Sequence, residues 1–407
     1  MLRKVILPVL ALAAAGAACS PVPRTITPPA SGPSQTPALP TIVTDTPVGV
    51  TDTPIPPPAL PVIASPALLQ IDFQSSSNGW ALADGAILRT VDGGGTWFDA
   101  TPDGLTGIGY STDIFVLDDN HVWVQVPNAD FYTGRLYRSS DGGLTWSSFP
   151  VPFGGADIQF LDADTGRLLA DRGAGAGSNA VELYQSGDGG ASWTSVFHND
   201  PSQPGWSEAL PLGGIKNGMI FLDGSTGWVT GTRPVDGGVY LYLTRDGGVS
   251  WSQQSIPLPA GYESYQFLPQ PPIFFGAEGF LPLNISVPGG GYWQTFYVTH
   301  DGGSTWSGDP SDGDRIVSDP GRYSFADPLH GWAWDGGSVF HLTSDGSQTW
   351  DGMAAPLILT GGLSQLEFAR GPGSGFTGWA LTAVDDSGRA QLYRTDDNGV
   401  NWTPLLP

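Results

Sequence analysis

The pattern Ser/Thr-x-Asp-x-Gly-x-Ser/Thr-Trp occurs seven times in this chain, centred on Asp92, Asp141, Asp188, Asp246, Asp301, Asp345 and Asp397. Successive aspartates lie 44 to 58 residues apart. A period near 50 commits a chain to a repeat architecture before any other feature is weighed. Two copies depart from the pattern: Ser347 replaces the glycine in the sixth, and Asn401 replaces the hydroxyl residue in the seventh.

The octet reads as a hairpin turn that carries its own staple. Asp-Gly and Gly-Gly pairs supply the positive φ angles of tight connections, and the aspartate accepts hydrogen bonds from turn amides further along. The tryptophan opens the next strand and offers a large apolar surface for burial. The composition also invites comparison with a calcium loop, but the alternating ligands and distal Glu of such loops are missing. Seven copies favour structure over catalysis, because an active site needs only one set of residues.

Around each box the same grammar repeats. In the first repeat, short apolar runs at 69–73, 79–82, 87–91 and 97–100 are separated by Gly/Asp turns. The third and sixth repeats give 158–161, 166–170, 181–185, 193–197 and 323–325, 331–334, 338–342, 350 onward. No long window has helical periodicity, so the chain is all-β. Four antiparallel strands in each of seven repeats predict a seven-bladed β-propeller, with every box between strands three and four of its blade.

The run Gly79-Trp80…Ile87-Leu88-Arg89-Thr90-x-Asp92-Gly93-Gly94-x-Thr96-Trp97 resembles the BNR, or Asp-box, repeat. Over about 68–407 the chain is most similar to the photosystem II assembly factor type of BNR propeller. The same box is found in sialidases, other glycosidases, sortilin-type receptors and non-enzymatic scaffolds. The strand-two Gly-Trp departs to Val122-Trp123, Gly166-Arg167 and Gly279-Phe280. The resemblance implies a partner-binding arginine patch, which maps onto Arg89, Arg138 and Arg394, each one residue before its box hydroxyl; Gln185, Leu243, Val298 and Leu342 break the series. Because repeats seven, one and two adjoin in a closed ring, these arginines are expected to form one stripe, with solvated or ion-paired strand residues as the plainer alternative.

Outside the repeats, Met1-Leu2-Arg3-Lys4, an apolar run from Val5 to Ala15 and the small residues to Ser20 form an export signal, too short to span a membrane. Cys19, the only cysteine, stands where a lipoprotein signal places the lipidated residue, although Gly16 replaces the preferred Leu; ordinary cleavage after Ala17 is the alternative. The expected organisation is a signal peptide at 1–18, a disordered Pro/Thr-rich stalk at 19–66 and the propeller at 67–407. This places the protein outside the cytoplasm, at the cell surface or in the periplasm, as a membrane-anchored lipoprotein. A formal charge of −23 sets nucleic acid aside.

Chain parity sorts the turns. Turns 1–2 and 3–4 leave a four-stranded meander on one face, turns 2–3 and the blade links on the other. The boxes therefore share one face, and the long segments 127–134, 171–180, 198–218, 231–238, 257–272, 284–293 and 307–322 share the opposite one. Phe131, Tyr132, Trp206, Tyr262, Tyr265 and Trp293 are the candidate binding aromatics there, with Phe267 and Tyr292 beside them; closure of the blade ends is their other reading. Asp130, Asp171, Asp200, Glu208, Glu263 and Asp335 fall on the same face, but nothing pairs them as glycoside hydrolysis requires. The Arg-Ile-Pro signature of sialidases is absent. The five histidines show no ligand spacing, so no metal or cofactor is expected. The resulting expectation is a monomeric, non-catalytic scaffold for a protein or glycan partner, with a sialidase-like glycoside hydrolase as the alternative.

Overall fold

The computed structural model describes residues 60–405, except 110, 130, 234–235, 259, 287–291, 309–315, 318–321, 357–361 and 385–388; at 316–317 it describes the backbone alone. The export signal, Cys19, most of the expected stalk and Asp130 lie outside the described residues.

The body is a seven-bladed β-propeller of antiparallel sheets, with no helix among the described residues. The blades occupy 62–99, 113–151, 156–198, 216–253, 266–317, 323–354 and 363–404. Each sheet is an up-and-down meander with its first strand at one edge. Two blades depart from four plain strands. Val62–Ile63, which composition assigns to the stalk, pair with Trp97 and Phe98 and add a fifth strand to blade 1. In blade 5 the first strand is split into Gln266–Pro269 and Ile273–Phe275, and both pieces pair with Glu278–Ser286.

One packing unit recurs at the junctions, and it explains the Gly-Trp pair of strand two. The strand-two ring of one blade stacks on a ring at or near the end of strand one of the next. Centroid separations are 3.8 Å for Trp123 on Phe160, 3.9 Å for Trp332 on Phe368 and 3.9 Å for Phe280 on Phe325. The box tryptophan of the second blade meets that ring edge-on, as Trp193 meets Phe160 and Trp402 meets Phe368. Room for the sandwiched ring comes from the strand-two glycine: a Cβ at Gly79 would lie 2.5 Å from the Phe73 ring. Blade 2 confirms the rule by breaking it twice together. Val122 replaces the glycine there, and its cross-strand partner is Val116, not phenylalanine. Such aromatic pairs contribute about 0.5–1.5 kcal/mol each beyond their buried area.

Each box closes on itself as its residue types predict. The aspartate Oδ1 accepts the backbone N–H four residues on, at 2.8–2.9 Å in all seven copies. The preceding hydroxyl donates to that same oxygen and accepts the amide two residues beyond the aspartate, as Thr244 does for Asp246 and Gly248. The departures preserve the scheme. Asn401 donates its Nδ2 to Asp397 in place of a hydroxyl, and Ser347 takes the glycine's positive φ of 70°.

Ring closure runs through side chains, with no exchanged strand among the described residues. Blade 7 presents Gln365 to the Ile71 amide at 2.7 Å and Glu367 to the Phe73 amide at 2.9 Å. Asp157 and Gln159 of blade 3 do the same for Met219 and Phe221 of blade 4. At these junctions first strand meets first strand around the axis, one lending polar side chains to the other's free amides.

Candidate binding faces

On the face opposite the boxes, the turn after strand two of blade 2 is closed by Asn128, whose amide donates to the Thr133 carbonyl and whose Nδ2 donates to the Thr133 hydroxyl. Phe131 and Tyr132 stand at its tip, 61% and 72% exposed. Phe131 holds φ at 59°, a left-handed conformation that a bulky residue rarely adopts. Gly154 lies beneath, where a Cβ would press into the Phe131 carbonyl. Backbone strain of this kind, held by its surroundings, collects at functional sites.

Beside it, the second and third strands of blade 3 run on as a ten- and nine-residue hairpin, Gly166–Gly175 and Ser178–Ser186. Arg172 bonds Glu182 across it at 2.9 Å. The following link is anchored from below. Lys216, the sole lysine of the body, is buried and donates to the carbonyls of Asn179, Leu212 and Gly214. Burial brings its pKa down to about 8. Asn199, also buried, ties Val181 to Leu210. On this fixed link Trp206 remains exposed.

The other sequence candidates divide. Tyr262 is buried, stacks on Tyr265 at 4.6 Å, and Tyr265 in turn lies against Trp293. The three join the apolar cluster between blades 4 and 5 with Trp228, Leu281 and Tyr297, so they close the blade ends. Phe267, expected in a link, is a buried residue of the split first strand. Tyr292 is exposed at the start of strand three of blade 5. Among the described residues, every aromatic side chain that ranks as exposed therefore lies on the loop face: Phe131, Tyr132, Trp206 and Tyr292.

Of the five candidate loop-face carboxylates that are described, all but Glu208, which is exposed, serve their own turns. Asp171 accepts from the Gly173 amide, Asp200 from Ser202, Glu263 from Gly261 and Asp335 from Gly337 and Val339.

The three arginines do not form a surface stripe. Each reaches across a junction to the box of the next blade. Arg89 is buried and donates to the Gly142 carbonyl at 2.8 Å, Arg138 to Asp188 at 3.3 Å, and Arg394 to Asp92 at 3.1 Å. Arg89 and Arg138 also stand over the rings of Trp80 and Trp123. The spacing that suggested a patch is that of a repeated interblade clamp.

Sequence reasoning passed over a set of carboxyls at the axis. Burial pushes Asp72 and Asp113 up to about 7 and Asp157 up to about 6, with Asp157 adding to the shift at Asp113. Glu367 is raised by burial and by its neighbour Asp72. A signal was present: in strand one, Gln70 and Asp72 alternate with Ile71 and Phe73, a period-two pattern that turns polar residues toward the axis. Among the described residues, no three His, Cys, Asp or Glu side chains are grouped to hold a metal ion.

No family model matches the chain. In sequence it is similar to the photosystem II assembly lipoprotein Ycf48 of Synechococcus sp. (strain CC9902), at 23% identity over 275 residues covering 64% of this chain. The match spans 66% of that relative, just under two thirds of its length. Among solved structures it is similar to YCF48 from Cyanidioschyzon merolae, with TM-score 0.47, 19% identity, and coverage of 80% of this chain and 95% of that one. YCF48 bound to a D1 peptide gives TM-score 0.45 at 13% identity over 85% of this chain and 94% of that one. A GH74 enzyme of Niastella koreensis gives 0.48 at 14% over 85% of this chain and 67% of that one.

Proposed function

We propose that this chain is an exported, lipid-anchored, non-catalytic propeller that holds a protein partner on its loop face, as an assembly factor does. The observation that carries this reading is the distribution of exposed aromatics. Among the described residues all of them lie on the face of the 2–3 turns and blade links, and the most exposed pair, Phe131 and Tyr132, sits on a strained, braced hairpin. Rigid aromatic side chains supply contact area at low entropic cost and dominate interface energies. The sequence relative named as a photosystem II assembly lipoprotein supports the same class. Catalysis finds less support, because four of the candidate loop-face carboxylates, Asp171, Asp200, Glu263 and Asp335, are engaged in their own turns. The anchor at Cys19 belongs to this proposal on sequence grounds alone.

The test pairs two measurements on the full chain. Capture from solubilised membranes of the source cell is compared for the wild type, the Phe131→Ser/Tyr132→Ser double variant and the box-face control Leu144→Ser/Val249→Ser. A specific protein lost only with the first pair supports the reading. Turnover of a glycoside panel, abolished by changing one loop-face carboxylate, would replace it with the hydrolase alternative.

A further inference from the structure

At every junction one cross-strand pair looks onto the next box: a residue of strand two and the residue before the box hydroxyl in strand three. The pairs are Trp80/Arg89, Trp123/Arg138, Arg167/Gln185, Trp228/Leu243, Phe280/Val298, Trp332/Leu342 and Trp379/Arg394. Five of them bring an N–H donor to the neighbouring blade, and a sixth acts through a glutamine of its own blade. Beyond the arginine clamps, Trp123 reaches Gly189, Trp332 reaches Asn398 and Trp379 reaches Gly93. Arg167 reaches Gly224, and Trp228 works through Gln254, which donates to Gly303 at 2.7 Å. Phe280/Val298 is the pair without a donor.

The next box at that junction is the sixth, the copy in which Ser347 replaces glycine. A cavity of about 680 Å³ opens there between blades 5 and 6 on the box face. It is lined by the buried Phe280 and Phe296, by Val298 and the exposed Leu329, and by Glu278, whose carboxylate pairs with His300. Gln348 of the box itself donates to the Asp345 carbonyl, but among the described residues no side chain of blade 5 donates to the box.

We propose that this notch takes an arginine side chain presented by a protein partner. The site is the place where the fold's own repeat puts a guanidinium in blades 1, 2 and 7, and the acceptors that those arginines use are backbone carbonyls of the following box. An arginine entering from outside meets the corresponding carbonyls of box 6, apolar side chains for its methylene stem, and the Glu278 carboxylate. A planar fork of donors matches divergent acceptors, which the point charge of lysine does not. A chain of formal charge −23 draws in a cationic segment. This is a second site, on the face opposite the aromatic hairpin.

The experiment titrates the full chain with acetyl-Ala-Ala-Arg-Ala-Ala-amide and with its lysine and citrulline counterparts, by calorimetry. The arginine peptide is expected to bind, and each counterpart to bind at least tenfold more weakly. Val298→Arg, which supplies the guanidinium from within, is expected to abolish binding; Glu278→Gln, a milder change in case the first disturbs folding, is expected to weaken it about tenfold. No binding of the arginine peptide, equal binding of the lysine peptide, or binding unchanged in both variants would overturn the proposal. Phe131→Ser/Tyr132→Ser is expected to bind the peptide like the wild type, so failure here leaves the loop-face reading standing.

Discussion

The indole of Trp379 in the last blade lies flat on the ring of Phe73 in the first, with centroids 3.8 Å apart and planes within 5°. The same indole donates to the Gly93 carbonyl at 2.9 Å. One side chain thus closes the ring by stacking and by satisfying a box acceptor. Trp379→Phe keeps a ring to stack and removes the donor, leaving a buried carbonyl unpaired, at a cost of about 1–3 kcal/mol. Urea unfolding of the variant against wild type measures it; Trp379→Ala is expected to cost more, about 3–5 kcal/mol.

The boxes act as staples and bind no ion in this account. Asp246 accepts from the Ser250 amide, the Ser250 hydroxyl and the Thr244 hydroxyl. Asp246→Ala is expected to lower stability by about 1–3 kcal/mol. Millimolar calcium is expected to leave the wild-type Tm in place, and a Tm that climbs with calcium would contradict the staple reading.

Stability is expected to fall as pH rises from about 5 to 8. Asp72 and Asp113 titrate near 7 and Asp157 near 6 in the folded ring because burial disfavours their charged forms. In the unfolded chain these carboxyls titrate near 4. Between those values the native state holds protons that the unfolded state has lost, so raising the pH favours unfolding. Below about pH 4 the sign reverses through the boxes. There, hydrogen bonds from Thr305 and Thr299 hold Asp301 down to about 2, and those from Ser192 lower Asp188. The Tm at pH 5 is expected to exceed that at pH 8 by roughly 5 °C, and Glu367→Gln is expected to flatten the slope, since Glu367 is itself raised by burial and by Asp72.

Two tyrosines of the loop face separate packing from display. Tyr262 is buried against Tyr265, whereas Tyr132 is 72% exposed. Tyr262→Ala is expected to cost about 2–4 kcal/mol in urea unfolding. Tyr132→Ala is expected to stay within about 0.5 kcal/mol of wild type while weakening partner binding.

The blade count, the box turns and the sorting of turns between faces were legible because each rests on local chemistry repeated seven times. Strand one of blade 5 was not: Pro269, Pro271 and Pro272 read as a link, yet the chain resumes pairing on both sides of them. Exposure of Tyr262, Tyr265 and Trp293 was not legible either, since an aromatic residue in a link serves equally to cover a blade end. The arginine positions were read correctly by register and mistaken in direction. A residue before the box hydroxyl points along the ring to the next blade, a fact that only the closed structure supplies.

The central claim, that the loop face holds a protein partner, is tested most directly by site-specific photocrosslinking in the source cell. A photoreactive residue placed at position 132 on the hairpin is compared with one at position 144 on the second box. The account predicts a discrete crosslinked protein adduct from position 132 and none from position 144. An adduct from 144 alone, or no adduct from 132 while the variant remains folded and exported, would contradict it.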